Sequence, residues 1–130
     1  MEILLTSLGS HGDIHPYIGL GQALAARGHD VTVMVNPHFE SLVDGAGLRF
    51  EPLGTAEVFR TLADDPDLWN PRKGFKVVFG AVLIALSEHF DRVCSYIRAH
   101  PGAVVGASSL CLGARCAQDK LGFPMATIHL

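Results

Sequence analysis

Long hydrophobic runs are missing from this chain. The longest, Val77 to Leu86, falls well short of the roughly 20 apolar residues that a membrane-spanning helix needs. A secretory leader pattern is missing too. Glu2 follows Met1 directly, and Gly9 and Asp13 soon interrupt the first apolar stretch, so the start does not read as a signal peptide. Cysteine is scarce: Cys94, Cys111 and Cys116. The odd count without a leader predicts reduced thiols and a cytoplasmic protein, and no second Cys/His pair supplies a zinc spacing. Positive charge is thin. Ten Lys and Arg stand against thirteen Asp and Glu, a formal net charge of −3, and the basic residues are scattered, which argues against a nucleic-acid partner. No internal repeat, low-complexity tract or flexible linker is visible.

What is present is a packable chain: 130 residues, 48% of them apolar, enough for one domain over residues 1–130 with one core. Residues 2–8 read as a strand apolar on both faces, as a buried parallel strand is. Residues 16–27 read as a helix, with Tyr17, Leu20, Gly21 and Leu24 on one face and Gly28 closing it. Val31–Val35 is a β-branched strand, 37–46 a helix, and 48–53 a strand whose Pro52 suits a sheet edge. Residues 54–73 are irregular and rich in turn formers. A helix over 74–99 follows, then a strand at 103–106, a helix at 109–120 and a last strand from Met125. Strands and helices alternate throughout, which predicts an α/β fold: a Rossmann-like doubly wound parallel sheet in the order 3-2-1-4-5. The chain stops inside its last strand, so we expect it to be the N-terminal part of a longer protein.

In a doubly wound sheet ligands bind beyond the C-terminal strand ends, near the switch in strand order. The stretch Gly9-Ser10-His11-Gly12-Asp13-Ile14-His15-Pro16 follows the first strand and therefore lies at that crevice. Its glycines allow close backbone approach by a ligand, and Pro16 suits a first helical turn. Asp13 there is either a cap on the helix or a base at the mouth of the crevice. A dinucleotide site is disfavoured. It needs G-x-G-x-x-G and an acid after the second strand, whereas the turn reads Gly9-Ser-His-Gly12 and the second strand ends in Val35-Asn36. A metal held by His11, Asp13 and His15 would need an extended backbone there, which a helix starting at Pro16 opposes.

This stretch, with the Gly-Leu-Gly-Gln-Ala-Leu-Ala-Ala-Arg-Gly-His-Asp-Val-Thr-Val that follows Tyr17 and Ile18, resembles the N-terminal half of GT-B glycosyltransferases. The similarity is to the bacterial and fungal subgroup with G-S/T-x-G-D-x-x-P, which includes antibiotic and sterol glycosyltransferases. Asp65-Pro66-Asp67-Leu68-Trp69-Asn70-Pro71 is similar to a segment of rhamnolipid-type rhamnosyltransferases. The resemblance implies an acceptor-side domain facing an absent C-terminal domain that binds the nucleotide-sugar. It implies transfer of a hexose, with inversion, from a UDP- or dTDP-sugar to a hydroxyl of a small apolar or lipid acceptor. It places Asp13 as the base, with His11 or His15 able to share the role. No metal or other cofactor is implied, because this fold generally neutralises the leaving phosphate with protein groups. The alternative is a non-catalytic helper subunit that keeps the fold.

The remaining candidates are substrate contacts. Ser10, His11, Gly12 and His15 lie on the loop. Ser108 and Ser109 follow the fourth strand, where they either meet the acceptor or cap the next helix. Trp69, Phe75 and Phe79 either line an apolar acceptor pocket or touch a membrane surface peripherally, against a plainer reading in which Val77–Leu86 is a buried helix. Cys111 and Cys116 read as small packing residues, and His29, His38, His89, His100 and His129 as incidental.

Overall fold

The computed structural model describes residues 1–130. Five parallel strands, β1 (Glu2–Thr6), β2 (Asp30–Val35), β3 (Arg49–Pro52), β4 (Val104–Ser108) and β5 (Met125–Ile128), form one sheet in the order β3-β2-β1-β4-β5. The central strand is deeply buried: Leu4, Leu5 and Thr6 are at most 1% exposed. β3 is an edge strand and carries Pro52, which needs no ladder donor there. The order and edge placement agree with the sequence pattern.

Two cores cover the two faces of the sheet. One packs α1 (His11–Ala25) and α2 (Glu40–Gly45) against Ile3, Leu5, Val31, Val33 and Val35. The other packs α4 (Gly74–Ala99) and α5 (Leu112–Leu121) against Leu4, Met34 and Val105. Gly113 lets α4 and α5 close up: a Cβ there would stand 2.6 Å from the Leu86 carbonyl oxygen and 2.7 Å from Phe90 N.

Three local expectations are corrected. First, α1 begins at His11, five residues before the expected start, so Pro16 lies inside the helix. Ser10 is the N-cap, with extended backbone, and Asp13 is the N3 residue of a capping box. The Asp13 carboxylate, which accepts the Ser10 amide, fixes the start more strongly than Pro16 does. Pro16 has no N–H for the Gly12 carbonyl, which the helix tolerates near its solvent-exposed end. Second, the irregular stretch 54–73 contains a helix, α3 (Ala56–Ala63), capped by the Thr55 hydroxyl, which accepts the Val58 amide at 3.3 Å. The rest of that stretch is turns, with the Asp65 carboxylate accepting Asp67 N at 2.8 Å and Asn70 Oδ1 accepting Arg72 N at 2.9 Å. Third, α5 starts at Leu112 rather than 109, and neither Ser108 nor Ser109 caps it; its N-cap residue is Cys111.

No helix is long and apolar enough to cross a membrane. The first half of α4 is nevertheless not a buried helix, because the helix outreaches the sheet. Its 26 residues span about 39 Å, whereas the five residues of β1 span about 17 Å. His89 sits level with Thr6 at the C-terminal end of β1, and Tyr96 level with Glu2 at its start. Everything before His89 therefore extends beyond the strand ends, Phe75 by about 21 Å.

Candidate functional site

The crevice end of β1 runs Ser7-Leu8-Gly9-Ser10 into α1. Gly9 has φ +131, a conformation that L side chains rarely adopt. Asp13 folds back over this turn. Its Oδ2 accepts the Ser10 amide at 2.7 Å and the Ser10 hydroxyl at 3.1 Å, while Oδ1 makes no hydrogen bond. One oxygen is thus a cap and the other remains available, so the structural and chemical readings of Asp13 are compatible.

His11 and His15 are exposed, one turn apart on α1, with ring centroids 5.8 Å apart. Asp13 projects from a different side of the helix, and no group of three or more His, Cys, Asp or Glu side chains is arranged to hold a metal. The structure adds a residue that the sequence reading set aside. His38 lies with its ring 5.6 Å from His11, edge-on, and stacks on Phe59 of α3 at 4.4 Å; Phe39 closes the group 4.9 Å from His11. His38 lies three residues past the end of β2, so the topology alone puts it at the crevice. That was the available signal.

Tyr17, one turn after Asp13, is buried and donates to the Ile128 carbonyl at 3.3 Å, tying α1 to β5. Burial, with Cys111 and Asp13 acting in the same direction, pushes its phenol up to about 12, so it stays protonated. The Ser108 hydroxyl lies 3.2 Å from Cys111 Sγ, and burial raises that thiol. Ser109 lies in an exposed turn, and with Ser108 it lines an open depression between β4, β5 and α5. Cys111 packs as expected. Cys116 is exposed and does not.

Beyond the strand ends stands the free half of α4. Phe75, Phe79, Val82, Leu86, His89, Val93 and Tyr96 recur every three or four residues, one stripe of the helix. Where the sheet lies beneath it the stripe is closed, as at Val93. It stays closed as far as Val82, 5% exposed, and opens only in the first turns of the helix: Phe79 is 39% exposed and Phe75 74%, their rings stacked at 5.0 Å. The same face that seals the core below thus continues, exposed, toward the N-terminus of the helix. Trp69, 82% exposed in the turn before α4, makes no ring contact with them.

Comparison with known proteins agrees with this layout. Residues 3–129 match the glycosyltransferase family 28 N-terminal domain. The chain belongs to the glycosyltransferase family 28 N-terminal domains. This N-terminal domain is 41% identical over 49 residues to a sterol 3-beta-glucosyltransferase of Debaryomyces hansenii, covering 38% of this chain and 3% of the relative. It is 37% identical over 75 residues to the L-demethylnoviosyl transferase of Streptomyces niveus, covering 55% of this chain and 20% of that one. The aligned stretches are thus a small part of these curated relatives. Among solved structures, the calicheamicin glycosyltransferase CalG4 superposes with a TM-score of 0.76 at 19% identity, over 98% of this domain and 32% of that chain. Streptomyces sp. SF2575 glycosyltransferase SsfS6, complexed with thymidine diphosphate, gives 0.75 at 23%, over 99% and 38%. These likenesses show the GT-B fold of the N-terminal domain.

Proposed function

We propose that this domain is the acceptor-side half of an inverting glycosyltransferase, and that Asp13 is its base. The observation that carries the reading is the divided carboxylate: Oδ2 is pinned by Ser10, and Oδ1 is unengaged at the mouth of the crevice. A base must be held still and still have an oxygen to spare. Oδ1 takes the proton of an acceptor hydroxyl. The acceptor oxygen bonds to the anomeric carbon of a hexose, and the bond from that carbon to the nucleoside diphosphate breaks, leaving its electron pair on the diphosphate. Positive groups and helix N-termini stabilise that charge in such a reaction; here they fall to the donor-binding half. The donor is a UDP- or dTDP-sugar, and no metal or other cofactor takes part.

The acceptor is a small apolar molecule or a lipid. The stacked Phe75 and Phe79 give it an apolar wall, and Ser10, Gly12, His11, His15 and His38 give the polar rim, the pattern of most small-molecule sites. Ser108 and Ser109 border the crevice from the far side of Tyr17. Ile84 and Trp69, each 82% exposed, support a lesser proposal, peripheral contact with the membrane that holds a lipid acceptor; sedimentation with lipid vesicles tests it. The central experiment is sugar transfer by the donor-binding and acceptor-binding halves together, wild type against Asp13→Asn. Loss of transfer with fold and donor binding intact is the expected result. Near-normal turnover removes Asp13 from the mechanism, and absence of transfer in the wild type favours a non-catalytic helper.

A further inference from the structure

His89 is the one buried side-chain nitrogen-bearing group that this domain leaves half satisfied. It is 0% exposed, its Nε2 lies 2.9 Å from Thr6 Oγ1, and its Nδ1 has no partner. The neighbouring bonds settle the direction of the contact. Thr6 Oγ1 donates its only proton to the Met34 carbonyl at 3.0 Å. The imidazole must therefore donate from Nε2, and Nδ1 keeps a bare lone pair. A buried group with an orphaned acceptor is costly. An apolar side chain of similar size would avoid that cost, so the donated bond calls for its own explanation.

Its target is the explanation. Thr6 is the last residue of β1, and only Ser7, Leu8 and Gly9 separate it from Ser10. It is tethered from three sides: by β2 through Met34, by α4 through His89, and by the N-cap of α5, where Cys111 Sγ donates to the Thr6 carbonyl at 3.5 Å. Ser7, next along, reaches the Asp13 carbonyl at 3.4 Å. His89 sits where α5 comes closest to α4: a Cβ on Gly113 would stand 2.7 Å from its own Cβ. It also belongs to the stripe of α4 that ends in Phe79 and Phe75, so one helix fixes both the apolar wall and the end of β1.

We propose that His89 is a positioning residue for the Asp13 turn: its Nε2–H holds Thr6, and Thr6 holds the short segment whose Ser10 amide pins Asp13 Oδ2. The importance of that role rests on Asp13 being the base, where a misplacement of about 1 Å costs up to roughly a hundredfold in rate. The contact chain itself does not depend on that reading.

The test compares two neutral amides that differ in reach. His89→Gln keeps an N–H at the ε position. His89→Asn carries one only as far as the δ position and falls short of Thr6. Amide hydrogen exchange is followed at Ser10, at the rim, and at Leu4, in the middle of the same strand. The expected result is exchange at Ser10 about tenfold faster relative to Leu4 in His89→Asn, with wild-type behaviour in His89→Gln. Should His89→Asn not fold, Thr6→Val carries the same expectation. Equal acceleration at Ser10 and Leu4 would reduce His89 to an ordinary core residue and overturn the proposal, as would identical behaviour of the Gln and Asn variants. Nitrogen NMR of the wild-type ring must also find the proton on Nε2; a proton on Nδ1 overturns it. No substrate is needed, so the outcome is independent of whether Asp13→Asn abolishes transfer.

Discussion

Asp13 lies so close over Gly9 that a Cβ on the glycine would overlap the Oδ2 atom. The turn and the carboxylate are one unit: the glycine provides both the φ of +131 and the space. Gly9→Ala should therefore do more than strain the backbone, which alone costs about 1–3 kcal/mol. It should also push the carboxylate off the Ser10 amide. Urea unfolding reads the first effect and the chemical shift of the Ser10 amide the second. An unmoved Ser10 resonance would contradict the packing described here.

Asp13→Asn separates cap from chemistry. The lost cap should lower stability by at most about 1 kcal/mol, while transfer in the complete enzyme should fall by about 10²- to 10⁴-fold. Thermal unfolding and a transfer assay on the same preparation distinguish the two.

His89 should make the fold acid-sensitive. Burial lowers its imidazole to about 4 from an ordinary 6.5. Below pH 6.5 the unfolded chain takes up a proton that the folded one refuses. The contribution of the neutral ring is thus complete above about 6.5 and lost as pH falls to about 4, roughly 3 kcal/mol in all. Denaturant midpoints across that window should slope in the wild type and flatten by that amount in His89→Gln.

Two substitutions on one stripe of α4 should behave oppositely. Val93→Ala, over the sheet, should cost about 2 kcal/mol. Phe75→Ser, beyond it and 74% exposed, should cost under about 1 kcal/mol and instead raise the KM for an apolar acceptor. Parallel unfolding and kinetic measurements check the pair.

Much of the fold was legible from local pattern. Leu4-Leu5 read as part of a buried parallel strand because both its faces are apolar, Val31–Val35 read as a strand because it is dense in β-branched residues, and Pro52 placed β3 at an edge because it cannot donate to a ladder. The start of α1 was misread because Pro16 is a conspicuous signal and the Ser10–Asp13 box a quiet one: Asp in place of the usual Glu, among two glycines and two histidines. α3 was missed because the turn formers that follow it, Asp64 to Pro71, outweighed eight residues of helical period. His38 and His89 looked alike in sequence, each an isolated histidine. One stacks at the crevice rim and the other is sealed beneath it.

By itself the sequence determined the order of the five strands and of every helix but α3, the parallel sheet they build, and the presence of a carboxylate at the end of the first strand. These follow from short-range periodicity and from the handedness of crossovers, which nearby residues encode. The tertiary structure decided which oxygen of that carboxylate is engaged, how far α4 outreaches the sheet, and which histidine holds Thr6. Each of those depends on distances between segments tens of residues apart, and such distances are set by how whole elements pack, not by the composition of any one of them.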